Sequence, residues 1–134
     1  MAEAMLQQTL SEKTDVSVKS AGLGALVDYP ASEHAVALMK ERGLDISAHK
    51  ARQLTPDLVS TSDLILVMEA GHKRVIDSND PVARGKVYRL CEWQDKDVPD
   101  PYRRPREAFE EALALIEQGV HDCAEKIQAQ DRKQ

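Results

Sequence analysis

Five apolar residues in a row, Leu64-Ile65-Leu66-Val67-Met68, stand between Asp63 and Glu69. An unbroken apolar run of strand length suits a strand covered on both faces, as in a parallel sheet wrapped by helices. Parallel neighbours need long crossovers, usually helical, so the run commits the chain to alternating helices and strands. The rest of the sequence obeys. Val16-Ser17-Val18 alternates and runs into Lys19-Ser20-Ala21-Gly22, which reads as a short strand ending in a turn. Ser32 caps a helix through Arg42 that stops at Gly43. Thr55-Pro56-Asp57 opens a short helix with cap, first-turn proline and first-turn acid in order. A helix over Ala70 to Asp77, a turn at Asn79-Asp80-Pro81 and a strand over Val87 to Leu90 follow.

Cys91 to Arg104 reads as a long polar loop. The last helix is marked by Phe109, Ala112, Leu113, Ile116, Val120, Cys123, Ala124 and Ile127, one apolar stripe at spacings of three and four. A polar tail that frays is expected after Ala129. The fold class is therefore α/β, a three-layer sandwich with a small parallel sheet between helices, in one domain over residues 1–134.

The beginning is irregular for such a fold. Ala2, Met5, Leu6 and Leu10 already share a helical face, with no capping residue and no apolar strand ahead of them. Only three strands are legible, so the pattern asks for one more before Met1. The expectation is a chain that starts one strand late. Such a loss would uncover neighbouring strand edges and could exceed the roughly 5–15 kcal/mol by which domains are stable.

Charge and composition narrow the function. The net charge of -5 argues against an electrostatic nucleic-acid partner. It leaves an anionic small group possible, because a local site can be positive on an acidic protein. No apolar run is long enough to span a membrane, and no basic-then-apolar leader opens the chain. Two distant cysteines, Cys91 and Cys123, point to a reducing cytoplasmic setting.

Asp100 is the strongest single candidate for chemistry. It stands between prolines in Val98-Pro99-Asp100-Pro101-Tyr102, which fix its neighbours and push Asp100 out of helical backbone. A stiffly held acid after a strand could protonate an oxygen leaving group. Asp and Pro also make plain surface turns, and that reading stays open. His49 suits a structural hydrogen-bond donor, Ser20 a turn, and Lys50 and Arg52 solvated charge. His34, His72 and His121 are scattered and suggest no metal site. Trp93 and Tyr88 are expected to pack against the core. Cys123 sits on the apolar stripe and reads as inert. Cys91 follows a strand but has no Gly-rich or basic surroundings to activate it.

Taken together, the segments resemble low-molecular-weight protein tyrosine phosphatases. Met1-Ala2-Glu3-Ala4 fits the X-A-E-A that follows the family's Cys-x5-Arg-Ser-Pro loop. Ser20-Ala21-Gly22 fits its second-strand ending, His49-Lys50-Ala51-Arg52-Gln53 its H-x-A-R-Q stretch, and Asp100-Pro101-Tyr102 its general-acid motif. Ser20 through Leu26 further resembles the bacterial branch paired with tyrosine kinases of capsule and exopolysaccharide production.

The resemblance implies hydrolysis of phosphotyrosine through a cysteinyl-phosphate intermediate, without metal or cofactor. It casts Asp100 as the acid that protonates tyrosine oxygen and then activates water. It places Tyr102 against the substrate ring with Leu26 across from it, and Ser20 and His49 in the hydrogen-bond network that shapes the phosphate loop. The implied partners are phosphotyrosine proteins, a bacterial tyrosine kinase among them. The nucleophile and the phosphate-binding arginine would lie about nine and about three residues before Met1, where a helix N-terminus receives phosphate. As written, the sequence is therefore expected to be inactive. The alternatives are a non-catalytic phosphatase-like binding protein and an arsenate reductase. The latter needs neighbouring resolving cysteines, which Cys91 and Cys123 do not form.

Overall fold

The computed structural model describes residues 1–11 and 15–132, with side chains as far as residue 128. Helix α1 runs over Ala2–Thr9, α2 over Glu33–Glu41, α3 over Pro56–Thr61, α4 over Ala70–Asn79 and α5 over Arg106–Arg132. Strands β1 (Ile65–Val67) and β2 (Val87–Arg89) pair in parallel, with Ile65 opposite Val87 and Val67 opposite Arg89. The crossover between them is α4 followed by a 3-10 turn at Pro81–Ala83.

Local chemistry sets the helix ends. The Ser32 side chain accepts from the Ala35 N–H, and Thr55 from the Leu58 N–H, each satisfying a donor that the first helical turn leaves unpaired. Helix α4 starts differently, with a reciprocal box between Glu69 and His72. Gly43 takes φ +76 just beyond α2, a conformation that suits a residue without Cβ.

Helix α5 organises the core. Its stripe contributes Ala112, Ile116, Val120 and Cys123 to one cluster with Leu90, Cys91 and Val98. Phe109 and Leu113 join Ala35, Leu38 and Met39 of α2 in a second. Met1 and Met5 of the opening segment pack on both clusters. A third, under α4, holds Val59, Val67, Ile76, Ala83 and Val87. Gly119 allows α5 to approach the end of β2, since a Cβ there would lie 2.7 Å from Leu90 Cγ.

The structure departs from the sequence reading in four places. Val16-Ser17-Val18 forms no strand, because it finds no ladder partner among the described residues. The nearby sheet-like contact is a single parallel bridge, Gly22 to Gln53, and Val18 is held by Gln7 Nε2 donating to its carbonyl at 3.0 Å. The apolar run at β1 is only partly covered: Val67 is buried, whereas Leu64 is 40% exposed, since β1 has a paired neighbour only on the β2 side among the described residues. Trp93 and Tyr88 are exposed rather than core residues. Trp93 belongs to a 3-10 turn, Glu92–Gln94, with Lys126 Nζ 5.7 Å from its ring, and Tyr88 turns its hydroxyl to the Gly85 carbonyl. Finally, α5 stays helical to Arg132, past the expected start of the tail at Ala129. Residues 133–134, where that tail ends, lie outside the described residues.

Candidate functional site

The N-terminal end of α1, the segment 29–32, the connector 45–51, the turn 98–102 and the inner face of α5 surround a cavity of about 620 Å³. Its floor is apolar, from Ala35, Met68, Val98, Phe109, Ala112 and Ile116, while Ser20, His49, His72, Asp100 and Tyr102 bring polar atoms to its wall. Residues far apart in sequence, and singled out from it, thus share one space.

Asp100 is exposed at the rim. Its Oδ1 accepts the Tyr102 N–H at 3.0 Å, a side-chain turn that fixes the carboxyl relative to the following ring. Pro101 then starts a second turn, closed by the Arg104 N–H donating to the Pro101 carbonyl at 2.9 Å, with Arg103 at φ +64. Tyr102 is half exposed, and the Arg103 guanidinium lies 5.3 Å from its ring centre.

The stretch leading to Asp100 is tied down. Val98 is buried and its N–H donates to the Met68 carbonyl at 2.8 Å. Asp97 Oδ1 accepts from the Ala70 N–H at 3.0 Å and from Arg89 Nη1 at 3.2 Å. Those bonds, the Ala70 N–H foremost, hold the Asp97 carboxyl below the usual carboxylate range.

The other predicted residues divide. Ser20 and His49 line the cavity, with His49 Nδ1 3.7 Å from Glu3 Oε1 in the first turn of α1, a distance of ion-pair contact rather than of a hydrogen bond. Leu26 is not brought to the cavity wall; it stays 47% exposed on the loop beyond Gly22, and Tyr29 and Pro30 line that side instead. That loop is clamped by Gln53, whose carboxamide donates to the Leu23 carbonyl and accepts the Ala25 N–H. Lys50 and Arg52 are exposed, as expected of solvated charge. His34 packs its ring on Phe109. His121 stands beside Asp122 and Glu125 on the surface of α5, with Asp122 already accepting from Gln94 and Gln118.

Neither cysteine can serve as a nucleophile here. Cys91 is buried and donates to the Leu115 carbonyl at 3.1 Å, and Cys123 is buried with Sγ 3.5 Å from the Leu90 carbonyl. Burial pushes both thiols up, with Asp122 adding to the effect, and takes Cys123 to about 12.

His72, Tyr29, Met68 and Arg89 were not singled out from the sequence as site residues. His72 looked like one of several scattered histidines, and its pairing with Glu69 at a helix start is legible only once that start is known.

The sequence profile of a family described as low molecular weight phosphotyrosine protein phosphatase matches residues 1–133. The chain belongs to that family. A probable low molecular weight protein-tyrosine-phosphatase of Ralstonia nicotianae, EpsP, is 50% identical over 129 residues, covering 96% of this chain and 87% of its own length. Among solved structures, Vibrio vulnificus Wzb in complex with benzylphosphonate superposes with a TM-score of 0.86 at 40% identity, over 93% of this chain and 87% of that one. The YwlE arginine phosphatase of Geobacillus stearothermophilus superposes with a TM-score of 0.89 at 31% identity, over 98% and 86%. The α/β expectation therefore holds, as a small parallel sheet flanked by helices on the fold of the low molecular weight phosphatases. Within the 134 residues, neither cysteine has arginine six positions on: Asp97 follows Cys91 at that distance and Ala129 follows Cys123.

Proposed function

We propose that this chain carries the proton-donor and substrate-holding half of a protein tyrosine phosphatase site. Asp100 supplies the proton to the departing phenolic oxygen and afterwards draws one from water. Tyr102 flanks the substrate ring, with Leu26 across from it on the exposed loop that Gln53 clamps. Ser20 and His49 support a phosphate loop. No metal or cofactor takes part. The observation that carries this reading is the shared cavity, where an exposed carboxyl fixed by its own turn stands over an apolar floor able to take an aryl ring.

The phosphoryl-transfer half requires a thiolate in a ring of backbone N–H groups with an arginine, a Cys-x5-Arg loop. The N-terminal end of α1 faces the cavity and is suited to present N–H groups to a bound oxyanion. Since the 134 residues hold no such loop, they are expected to bind rather than to turn over. A second reading is a non-catalytic binding protein for phosphotyrosine segments. Arsenate reduction is disfavoured, because both cysteines are buried. The resemblance to EpsP and Wzb suggests a tyrosine-phosphorylated protein as the partner, a bacterial tyrosine kinase of exopolysaccharide production fitting best, in the cytoplasm.

The test is hydrolysis of phosphotyrosine and phosphoarginine peptides by the 134-residue chain and by the same chain fused to the corresponding N-terminal segment of EpsP. The fusion should release phosphate from phosphotyrosine in preference to phosphoarginine, and the chain alone from neither. Preference for phosphoarginine would assign the substrate class of YwlE instead, and a folded but inactive fusion would favour the binding protein.

A further inference from the structure

Arg89 is the last residue of β2 and its side chain is only 16% exposed. Three carboxylates converge on it. Nε and Nη2 meet Glu92 Oε2 at 3.1 and 3.0 Å, Nη2 meets Asp95 Oδ1 at 2.5 Å, and Nη1 meets Asp97 Oδ1 at 3.2 Å. These acids come from the 3-10 turn after β2 and the descent toward the prolines, a stretch that has no regular element of its own beyond that turn. Asp95 even holds left-handed backbone, φ +51, at the end of the turn. The Asp95 side chain is 90% exposed, so its bond is screened by water; Glu92 and Asp97 are the better covered partners.

Asp97 carries the connection onward. The oxygen that meets Arg89 also receives the Ala70 N–H at the start of α4. The next residue, Val98, is buried and bonded to the Met68 carbonyl. Pro99 then fixes its own φ, so little conformational freedom separates Val98 from Asp100. The guanidinium thus joins the sheet, the α4 N-terminus and the acid-bearing turn at one point. A planar fork that is always charged suits this role, whereas a lysine ammonium cannot span several carboxylates in fixed directions.

We propose that Arg89 is a positioning residue for Asp100, holding the turn 92–98 so that the carboxyl stays at the cavity rim. The assignment rests on the reading of Asp100 as proton donor. Arg89 does not touch the substrate; it acts through Asp97 and Val98.

Amide hydrogen exchange by NMR on the 134-residue chain tests it, in Arg89→Met and Arg89→Lys. Removing a charge-assisted anchor should raise exchange at the Ala70, Val98 and Tyr102 amides roughly 10- to 100-fold in the Met variant. Arg89→Lys should restore part of that protection, and the amides of α2 and of α5 near Leu113 should keep wild-type rates. Unchanged exchange at Val98 and Tyr102 would overturn the proposal. So would a uniform rise across all core amides, which would make Arg89 a general stabilising residue. If Arg89→Met does not fold, Asp97→Asn decides. It keeps an acceptor oxygen but loses the charge facing Arg89, so the Ala70, Val98 and Tyr102 amides should all loosen, and wild-type exchange at all three would refute the anchor. Exchange does not depend on catalysis. Failure here leaves the proton-donor reading standing, and an Asp100→Asn exchange without effect on turnover would remove that reading while leaving the anchor intact.

Discussion

Gly119→Ala should destabilise the domain, although helix propensity alone says the opposite. Glycine inside α5 costs about 1 kcal/mol relative to alanine, so an exposed site would gain that much. At Gly119 the added Cβ would stand 2.7 Å from Leu90 Cγ, 2.9 Å from the Leu90 carbonyl oxygen and 3.1 Å from Cys91 Sγ. Leu90 and Cys91 are both fully buried, and one of the crowded atoms is backbone, so no side chain can swing clear. Forcing an extra carbon into a filled core costs about 1–3 kcal/mol, and the backbone clash puts this case at the upper end. Setting the propensity gain against it leaves a net loss of about 2 kcal/mol. At roughly 4 °C per kcal/mol, Tm should fall by about 8 °C. Thermal melts and urea titrations of the two proteins, followed by circular dichroism, measure this. A higher Tm in Gly119→Ala would mean that α5 does not lie against the end of β2 as described.

The thiols supply the remaining predictions. Because burial raises both and carries Cys123 to about 12, the folded protein keeps them protonated where the unfolded chain, with thiols near about 8.5, has already lost the proton. The unfolded state then binds fewer protons than the native state, so stability should fall as pH rises from about 8.5 toward about 12, a loss that Cys123→Ser or Cys123→Ala should reduce in alkaline urea titrations. At pH 7.5 the native chain should also resist iodoacetamide at both cysteines, mass spectrometry showing alkylation only after urea is added; prompt labelling of either thiol in the folded protein would contradict its burial.

Much of this was legible in the residues. The stripe from Phe109 to Ala124 is one line of buried side chains on α5, and Ser32 and Thr55 cap the helices whose starts they mark, because helical period and capping are local chemistry. Strands are not local. Val16-Ser17-Val18 has the alternation of a strand yet joins no ladder among the described residues, since a ladder requires a neighbour that alternation does not supply. Tyr88 and Trp93 are exposed rather than packed in the core, and the sequence does not show it for a related reason: aromatic character does not say which face of a small sheet or turn is covered. At the candidate site, the proline bracket singles out Asp100, which stands in the cavity wall. The anchoring of its turn did not, because Arg89, Asp97 and the Ala70 N–H meet only after β2 and α4 have packed. Leu26 was placed by resemblance, and the loop clamped by Gln53 keeps it out of the cavity wall.

The central claim is that Asp100 donates the proton, and the most direct measurement is kcat for a tyrosine-like aryl phosphate in the EpsP-segment fusion with and without Asp100→Asn. The substitution preserves shape and the acceptor oxygen for the Tyr102 N–H but cannot deliver a proton. Turnover should drop by roughly 100- to 10,000-fold, with inhibition by inorganic phosphate nearly unchanged. Equal turnover in the two fusions would contradict the account.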